Sequence, residues 1–442
     1  MMEQVRYYDV RHVHGSSTHV DIDNGVVESA GTSFFDHAVV RVLGPKGWGV
    51  LTLDNFDPEA PLEPLLEKGV RLAMLTGEEV DLAPAPREVR AVPGVVEDPR
   101  EISLEEKTGA LAAIEAAAHR PGVVNTRARY AELIEGVRFF DSSGTECVYE
   151  VPRCGFSVTA VAARNGEMQM GRESEYTILG FNLRHRQEMG AKAADTASAL
   201  LDAKAAKGGR MRAVLDPELA GVFAHEAIGH ASEGDLVQEG SSVLAGRTGE
   251  RIGAAGLTIV DDPTLPEFGF EPVDAEGVAV GRTELIKDGR VNAFMHSRQT
   301  LAAVGNGVAG HARASAGDLP LVRMSNTFIE EGDASYDEVV AECQDGILLK
   351  GSRGGQVDPG RGVFQFNAEY GYLIEGGELG AMVRDVSLSG EILGTLHAIA
   401  LIGNDRTMSQ GYCGKGGQSV PVSDGSPHVF LENAMVGGNG TD

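Results

Sequence analysis

The sequence predicts an α+β fold: an N-terminal sheet-and-helix domain over 1–209, then a mostly antiparallel β domain over 210–442 that contains one buried helix. Three observations predict it. Strand-like runs in the first 180 residues are separated by turn signals such as Asp23-Asn24-Gly25, Asp141-Ser142-Ser143-Gly144 and Asn165-Gly166. Helical periodicity is confined to a few isolated stretches, too few for repeated strand–helix–strand crossovers. The second half breaks into many short apolar runs bounded by glycine.

Taken in order, the runs 7–14, 18–23, 26–29, 37–42 and 47–53 read as an antiparallel meander. His12, His14 and His19 lie on it, and alternate residues such as His12 and His14 share a strand face, but no thiol or carboxylate cluster accompanies them, so they are not assigned to a metal. Leu62, Leu65, Leu66, Val70 and Leu72 repeat at helical spacing and predict a helix over 61–75. Residues 81–100 are rich in proline and charge and predict a loop. Ser103-Leu104-Glu105-Glu106 has the form of a capping box and opens an alanine-rich helix over 103–119. Strands return over 122–180, and a third helix is expected over 186–206. Lys207-Gly208-Gly209-Arg210 is the best domain boundary. Beyond it come short strands at 257–261, 278–280, 284–287, 291–295, 364–374 and 382–388, with one short helix at 335–341.

The exception in the second half is a helix with unusual chemistry. Asp216-Pro217 supplies an N-cap acid followed by proline at the first helical position. Leu219, Val222, Phe223, Ala227 and Ile228 then form a buried stripe, and Gly234 is a plausible stop. Within it stands His225-Glu226-Ala227-Ile228-Gly229-His230. Two neutral imidazoles can bind Zn²⁺, and a Glu beside the first can act as general base toward water. The common zinc-peptidase motif spaces its histidines one turn apart. Here they are five residues apart, roughly 140° around an ideal helix, too far to share an ion. A π-type widening would bring them together, and Gly229 is the residue expected to permit it.

A catalytic zinc takes three protein ligands and leaves one position open. Candidates for the third are Glu233, Asp235, His296, His311, His397 and Cys413. Cys413 lies among four glycines in GYCGKGGQ, with Lys415 placed to favour a thiolate. Spacing alone does not choose between it and the carboxylates. Two other motifs carry less. Gly305-Asn306-Gly307-Val308-Ala309-Gly310 has the dinucleotide-loop pattern but too little room after it for a helix. Gly414-Lys415 lacks the rest of a phosphate loop. Arg323 and Asn326 are candidates for binding a substrate peptide, as carboxylate clamp and backbone partner. Gly354, Gly355 and Gln356 are candidates for holding an extended peptide against a sheet edge.

Several blocks in order resemble the TldD/PmbA family of zinc metallopeptidases, and specifically its TldD branch. They are HEAIGHASEGD, GSSVLAGRTGE, TIVDDPT, RMSNTF, GGQVD, YLIEGGEL and GYCGKGGQSVPV. The resemblance covers most of the chain and is densest from Asp216 onward. It implies His225, His230 and Cys413 as the metal ligands and Glu226 as the base. The sister branch, PmbA or TldE, shares the fold but lacks the metal motif. The resemblance also implies a two-subunit assembly, with a PmbA/TldE-like subunit or with a second copy, acting on short or unfolded peptides.

Composition bounds the rest. A net charge of −27 repels phosphate backbones and argues against direct nucleic-acid binding. No apolar run reaches the ~18 residues of a membrane helix, and the first residues have no signal-peptide pattern, so a cytoplasmic location is expected. Four cysteines are too few for a disulfide framework, although Cys147 and Cys154 could meet across strands. The expected function is hydrolysis of peptide bonds by zinc-activated water with Glu226 as base. The alternatives are a zinc-dependent amidase on small molecules and a non-catalytic regulator with a structural zinc. A structural site would be closed by a fourth protein ligand.

Overall fold

Residues 2–84 and 86–440 of the chain are described by a computed structural model. The first half builds one antiparallel sheet from β1 (Tyr7–Asp23), β2 (Val26–Gly44), β3 (Gly47–Asp54), β4 (Val123–Asp141), β5 (Glu146–Arg164) and β6 (Glu167–Thr177), in the order β3-β2-β1-β4-β5-β6. The strands are longer than the sequence suggests. Gly15-Ser16-Ser17 reads as a break but is paired on both sides, Gly15 opposite Phe35 and Glu135. A Cβ at Gly15 would lie 1.9 Å from the Ile134 carbonyl oxygen, so glycine there permits close backbone approach rather than a turn. His12 is buried, and its Nε2 lies 3.0 Å from Asp36 Oδ1. Cys147 and Cys154 lie on the one strand β5, seven residues or ~23 Å apart, so they do not face each other across strands; both are free.

Three helices cover this sheet. α1 (Glu63–Thr76) places Leu66 and Val70 against Val40, Val42 and Leu51. α2 (Leu104–Ala116) begins with the predicted capping box between Ser103 and Glu106. α3 (Glu188–Asp202) joins α2 over Tyr130 and Phe156.

The second half is strand-rich and mostly antiparallel. A ten-stranded sheet has Lys207–Leu215 between Val429–Asn439 and Gly346–Lys350. A six-stranded sheet runs through Ile259–Asp261, Asn326–Ile329 and Gln418–Ser426 to an edge strand, Thr407–Lys415. Four strand pairs among the described residues are parallel, among them Lys207–Leu215 with Gly346–Lys350 and Asn326–Ile329 with Gln418–Ser426. α4 (Pro217–Phe223) leaves the larger sheet directly after Lys207–Leu215 and packs against the smaller one. Leu219, Phe223, Ala227 and Ile228 are all buried in the shared core.

The expected short helix is present as Tyr336–Cys343, capped by Ser335. Arg298–Val304 and Ile392–Ala398 are further helices the sequence did not disclose. Each has seven residues, under two full turns, which leaves little periodicity to read. The glycines of 305–310 follow Arg298–Val304 rather than opening a helix, and Gly307–Ala309 is a short strand. The two halves are joined by buried polar contacts. Arg153 donates to the carbonyls of Phe268 (3.2 Å) and Phe270 (2.7 Å), and Arg41 bridges Asp9 and Glu276.

Candidate metal centre

α4 does not continue as a regular helix through the motif. Ala224–Gly229 forms a π turn, in which the backbone N–H of His230 donates to the carbonyl of His225, five residues back. The widening the spacing required is therefore present. The two imidazoles come together with ring centres 5.4 Å apart and planes at 89°. Gly229 serves it differently from the expectation. Its φ of −54° is ordinary helix, but a Cβ there would lie 2.1 Å from Met324 Sδ. Space, not conformational freedom, requires the glycine. Gly234 likewise does not stop the helix. It opens a further short helix, Gly234–Gln238, and a Cβ there would lie 2.1 Å from His296 Nδ1.

Cys413 comes from the edge strand Thr407–Lys415, and its Sγ lies 3.6 Å from His230 Nε2. One donor atom each from His225, His230 and Cys413 falls within 4.8 Å of the others. His225 and Cys413 are each 4% exposed, and His225 Nδ1 is buried without a hydrogen-bond partner. Burial alone would raise the Cys413 thiol. The charge of His225 and hydrogen bonds from His225 and His230 outweigh it and bring the thiol down to about 4. Desolvation opposes charge on His230 too, but Glu233 and Cys413 raise it well above the usual imidazole range. Two imidazoles and a thiolate, with a buried ring nitrogen left unpaired, are a donor set that fits zinc.

The other candidate ligands are occupied elsewhere. Glu233 is fully buried behind His230, with Oε2 3.2 Å from His230 Nδ1 and 2.9 Å from Lys415 Nζ. Lys415 also donates to Asp235 at 2.7 Å and to the Val322 carbonyl at 3.0 Å. Lys415 thus holds the carboxylates, and the histidines rather than Lys415 favour the Cys413 thiolate. His296 lies against Thr300 and the Gly305 carbonyl, His311 is buried 3.7 Å from Asp261, and His397 is exposed.

Glu226 is partly exposed, with Oε2 3.7 Å from His230 Nε2. It lines a cavity of about 680 Å³ together with His225. The walls come from both halves of the chain: Arg172 to Glu175 of β6 and Lys192 of α3 on one side, α4, the 350–355 loop and Thr407–Lys415 on the other. Arg323 and Asn326 do not reach it. Both are fully buried; Arg323 donates to the Cys413 carbonyl, and Asn326 bonds the Asp262 carbonyl (2.8 Å) and the Gly269 N–H (3.0 Å). Their partners are architectural. Gln356 is exposed on the edge strand Gly355–Asp358; its neighbours Gly354 and Gly355 line the cavity, and it does not.

Of the cavity's further carboxylates only Asp216 carried a signal in the sequence, and its side chain accepts from Leu219 N as the predicted N-cap. Glu218 stands beside it at the start of α4, and Glu369 and Asp424 join them from two further segments. Burial raises Glu218 to about 8, with Asp216 and Glu369 adding to the shift. Burial also raises Glu369 to about 7, and Asp424 to about 6 despite the nearby His225.

Comparison with known proteins agrees with this architecture. Residues 8–73, 97–201 and 208–438 match the models of PmbA/TldA metallopeptidase domain 1, the central domain and the C-terminal domain. The chain is 40% identical to a metalloprotease of Archaeoglobus fulgidus over 98% of its own length and all of that protein. It is 38% identical to a zinc metalloprotease TldD homolog of Saccharolobus solfataricus over 52% of each chain. Among solved structures, TldE from Thermococcus kodakarensis superposes with a TM-score of 0.80 at 18% identity, covering 98% of this chain and 97% of that one, a likeness of fold. A Thermotoga maritima protein described as a candidate modulator of a DNA gyrase gives 0.83 at 21% identity, over 98% and 96%. With all three family models in chain order and full-length relatives of this identity, the chain belongs to the PmbA/TldD family of metallopeptidases, in its TldD branch.

Proposed function

We propose that this protein is a zinc-dependent peptidase acting on short or unfolded peptides. The observation that carries the proposal is the convergence of His225, His230 and Cys413 beside Glu226 at the wall of the 680 Å³ cavity. His225, His230 and Cys413 would hold the zinc. When bound, Zn²⁺ supplies Lewis acidity toward a carbonyl and lowers the pKa of water. Glu226, partly exposed to the cavity, takes the proton of the attacking water and passes it to the leaving amine. Glu233 accepts from His230 Nδ1 and fixes the ring so that Nε2 faces Cys413. Lys415 neutralises Glu233 and Asp235 and ties them to the Cys413 strand. Three donors cluster among the described residues, the number suited to an open catalytic site rather than a closed structural one.

The cavity dimensions favour an extended segment of a few residues over a folded chain. The fold shared with TldE supports an assembly with a TldE-like subunit, or with a second copy. The test is to incubate the zinc-loaded protein, with and without a TldE-like partner, with an unbiased peptide mixture and to read new termini by mass spectrometry. Cleavage that disappears on zinc removal and in Glu226→Gln is expected. Unchanged peptides under every condition would overturn the proposal.

A further inference from the structure

A second cavity, about 280 Å³, lies between the face of the first sheet and the segments 312–316 and 419–421. Its walls include three guanidinium groups, from Arg11, Arg153 and Arg313, and two carboxylates, from Glu135 and Glu271. All three arginines are at least nine-tenths buried. Arg313 lies 2.7 Å from Glu271, and Arg153 lies 3.4 Å from Glu271 and 3.6 Å from Glu135. Arg11 differs. Its Nη1 and Nη2 donate to the carbonyls of Ser315 and Ala314, both at 3.1 Å, its Nε has no partner, and no carboxylate of the described residues lies within 4 Å. Two neutral carbonyls do not compensate a buried cation, and a buried charge calls for a counter-charge. The wall therefore sets three guanidinium groups against two carboxylates, with Arg11 reaching Glu135 only at longer range, beside a space open to a small ligand.

The position of this cavity gives the charge a use. Tyr412, next to the proposed ligand Cys413, lines both this cavity and the larger one. The larger cavity is lined by seven acidic side chains against Arg172, Lys192 and Lys350, an acidic excess that remains with Glu218 raised to about 8, and a carboxylate ligand is repelled there. The two compartments sort opposite charges on either side of Tyr412.

We infer that the Arg11 cavity binds an organic carboxylate of amino-acid size, supplied by the C-terminus or an acidic side chain of a short peptide. A carboxylate there pairs with the Arg11 guanidinium, whose buried Nε–H lacks a partner, and completes the charge balance of the wall. The inference deepens the peptidase proposal and rests on it for the source of the carboxylate, not for the site.

The experiment uses the zinc-free full-length protein, so that no probe is hydrolysed. Calorimetric titration compares Ala-Ala-Ala with a free C-terminus, the same peptide as its C-terminal amide, and Ala-Asp-Ala amide. The free acid is expected to bind about tenfold tighter than the Ala-Ala-Ala amide, and Arg11→Met to bring the two within about twofold. Tight binding of Ala-Asp-Ala amide would assign the carboxylate to a side chain; weak binding would assign it to the terminus. Equal affinity of all three probes, or unchanged discrimination in Arg11→Met, overturns the site. If Arg11→Met fails to fold, wild-type protein labelled with ¹⁵N-arginine decides: acetate must shift an arginine Nε–H resonance and compete with the free acid, and failure of either refutes the site. Hydrolysis of the same peptides by the zinc-loaded protein is scored separately. Discrimination without hydrolysis leaves the site standing and removes the peptidase proposal; hydrolysis without discrimination does the reverse.

Discussion

Glu226 and Glu233 flank the same histidine, and burial gives them different chemistry. Glu226 is partly exposed to the large cavity, free to exchange a proton with a water and a leaving group. Glu226→Gln should therefore keep zinc content near wild type and lower the peptidase rate by roughly 10²–10⁴. Metal analysis beside the rate separates base from ligand, since an emptied site would make Glu226 a ligand. Glu233 is fully buried between His230 and Lys415. Glu233→Gln leaves Lys415 short of one counter-charge and weakens the hold on the His230 ring. Zinc affinity should fall about 10–100-fold, measured by competition with a chelator. Cys413→Ser should weaken zinc more sharply, because a hydroxyl replaces a thiolate held down to about 4. Full zinc occupancy in that variant would rule Cys413 out. The sequence displayed His225, Glu226 and His230 as a local motif, but only the resemblance chose Cys413. Contact between residues 183 positions apart leaves no trace in spacing. For Arg323 and Asn326 the sequence showed polar side chains in a block and could not show that both are enclosed.

The π turn shows how much of an element can be read from chemistry when periodicity fails. Five-residue histidine spacing is incompatible with a shared ion on a regular helix, and the His230–His225 backbone bond supplies the required widening. The expected cause was wrong in kind: Gly229 has helical dihedrals and is needed because Met324 fills the place of its side chain. Gly229→Ala should therefore destabilise the protein by about 1–3 kcal/mol through overpacking, visible as a lowered melting temperature. Met324→Ala in the same chain should recover part of that loss, whereas a conformational role for Gly229 predicts no rescue. Long helices and capped starts were legible for the same reason, since α1, α2 and α3 carry repeats of three or more turns. The short helices Arg298–Val304 and Ile392–Ala398 carry too few residues to repeat. The length of β1 was hidden by a glycine that reads as a turn and serves close packing.

The large cavity exists only in the whole molecule. β6 ends the first sheet, Thr407–Lys415 ends the six-stranded sheet, and the two edges meet where Tyr176 N lies 3.5 Å from Gln410 Oε1. On the other wall of the cavity the fold of the second half brings Glu218, Glu369 and Asp424 together from segments that the sequence keeps far apart. Their burial, with their mutual repulsion added to it, has a measurable consequence for folding. Glu218 titrates at about 8 in the folded chain, above its ordinary value of 4.5. Between those values the folded protein holds a proton that the unfolded chain releases, so the unfolded state gains as pH rises. The contribution of Glu218 to stability is therefore lost progressively from about pH 4.5 to pH 8. Glu218→Gln keeps an acceptor for Ser352 N and removes the titration. It should stabilise the protein at pH 8 by on the order of 1–2 kcal/mol, after allowance for partial solvent access, and have little effect below pH 4. Thermal melts across that range check it: the gap between variant and wild type must widen with pH. Parallel melting curves from pH 4 to 8 would mean that the cavity solvates Glu218 well enough to leave it an ordinary carboxylate.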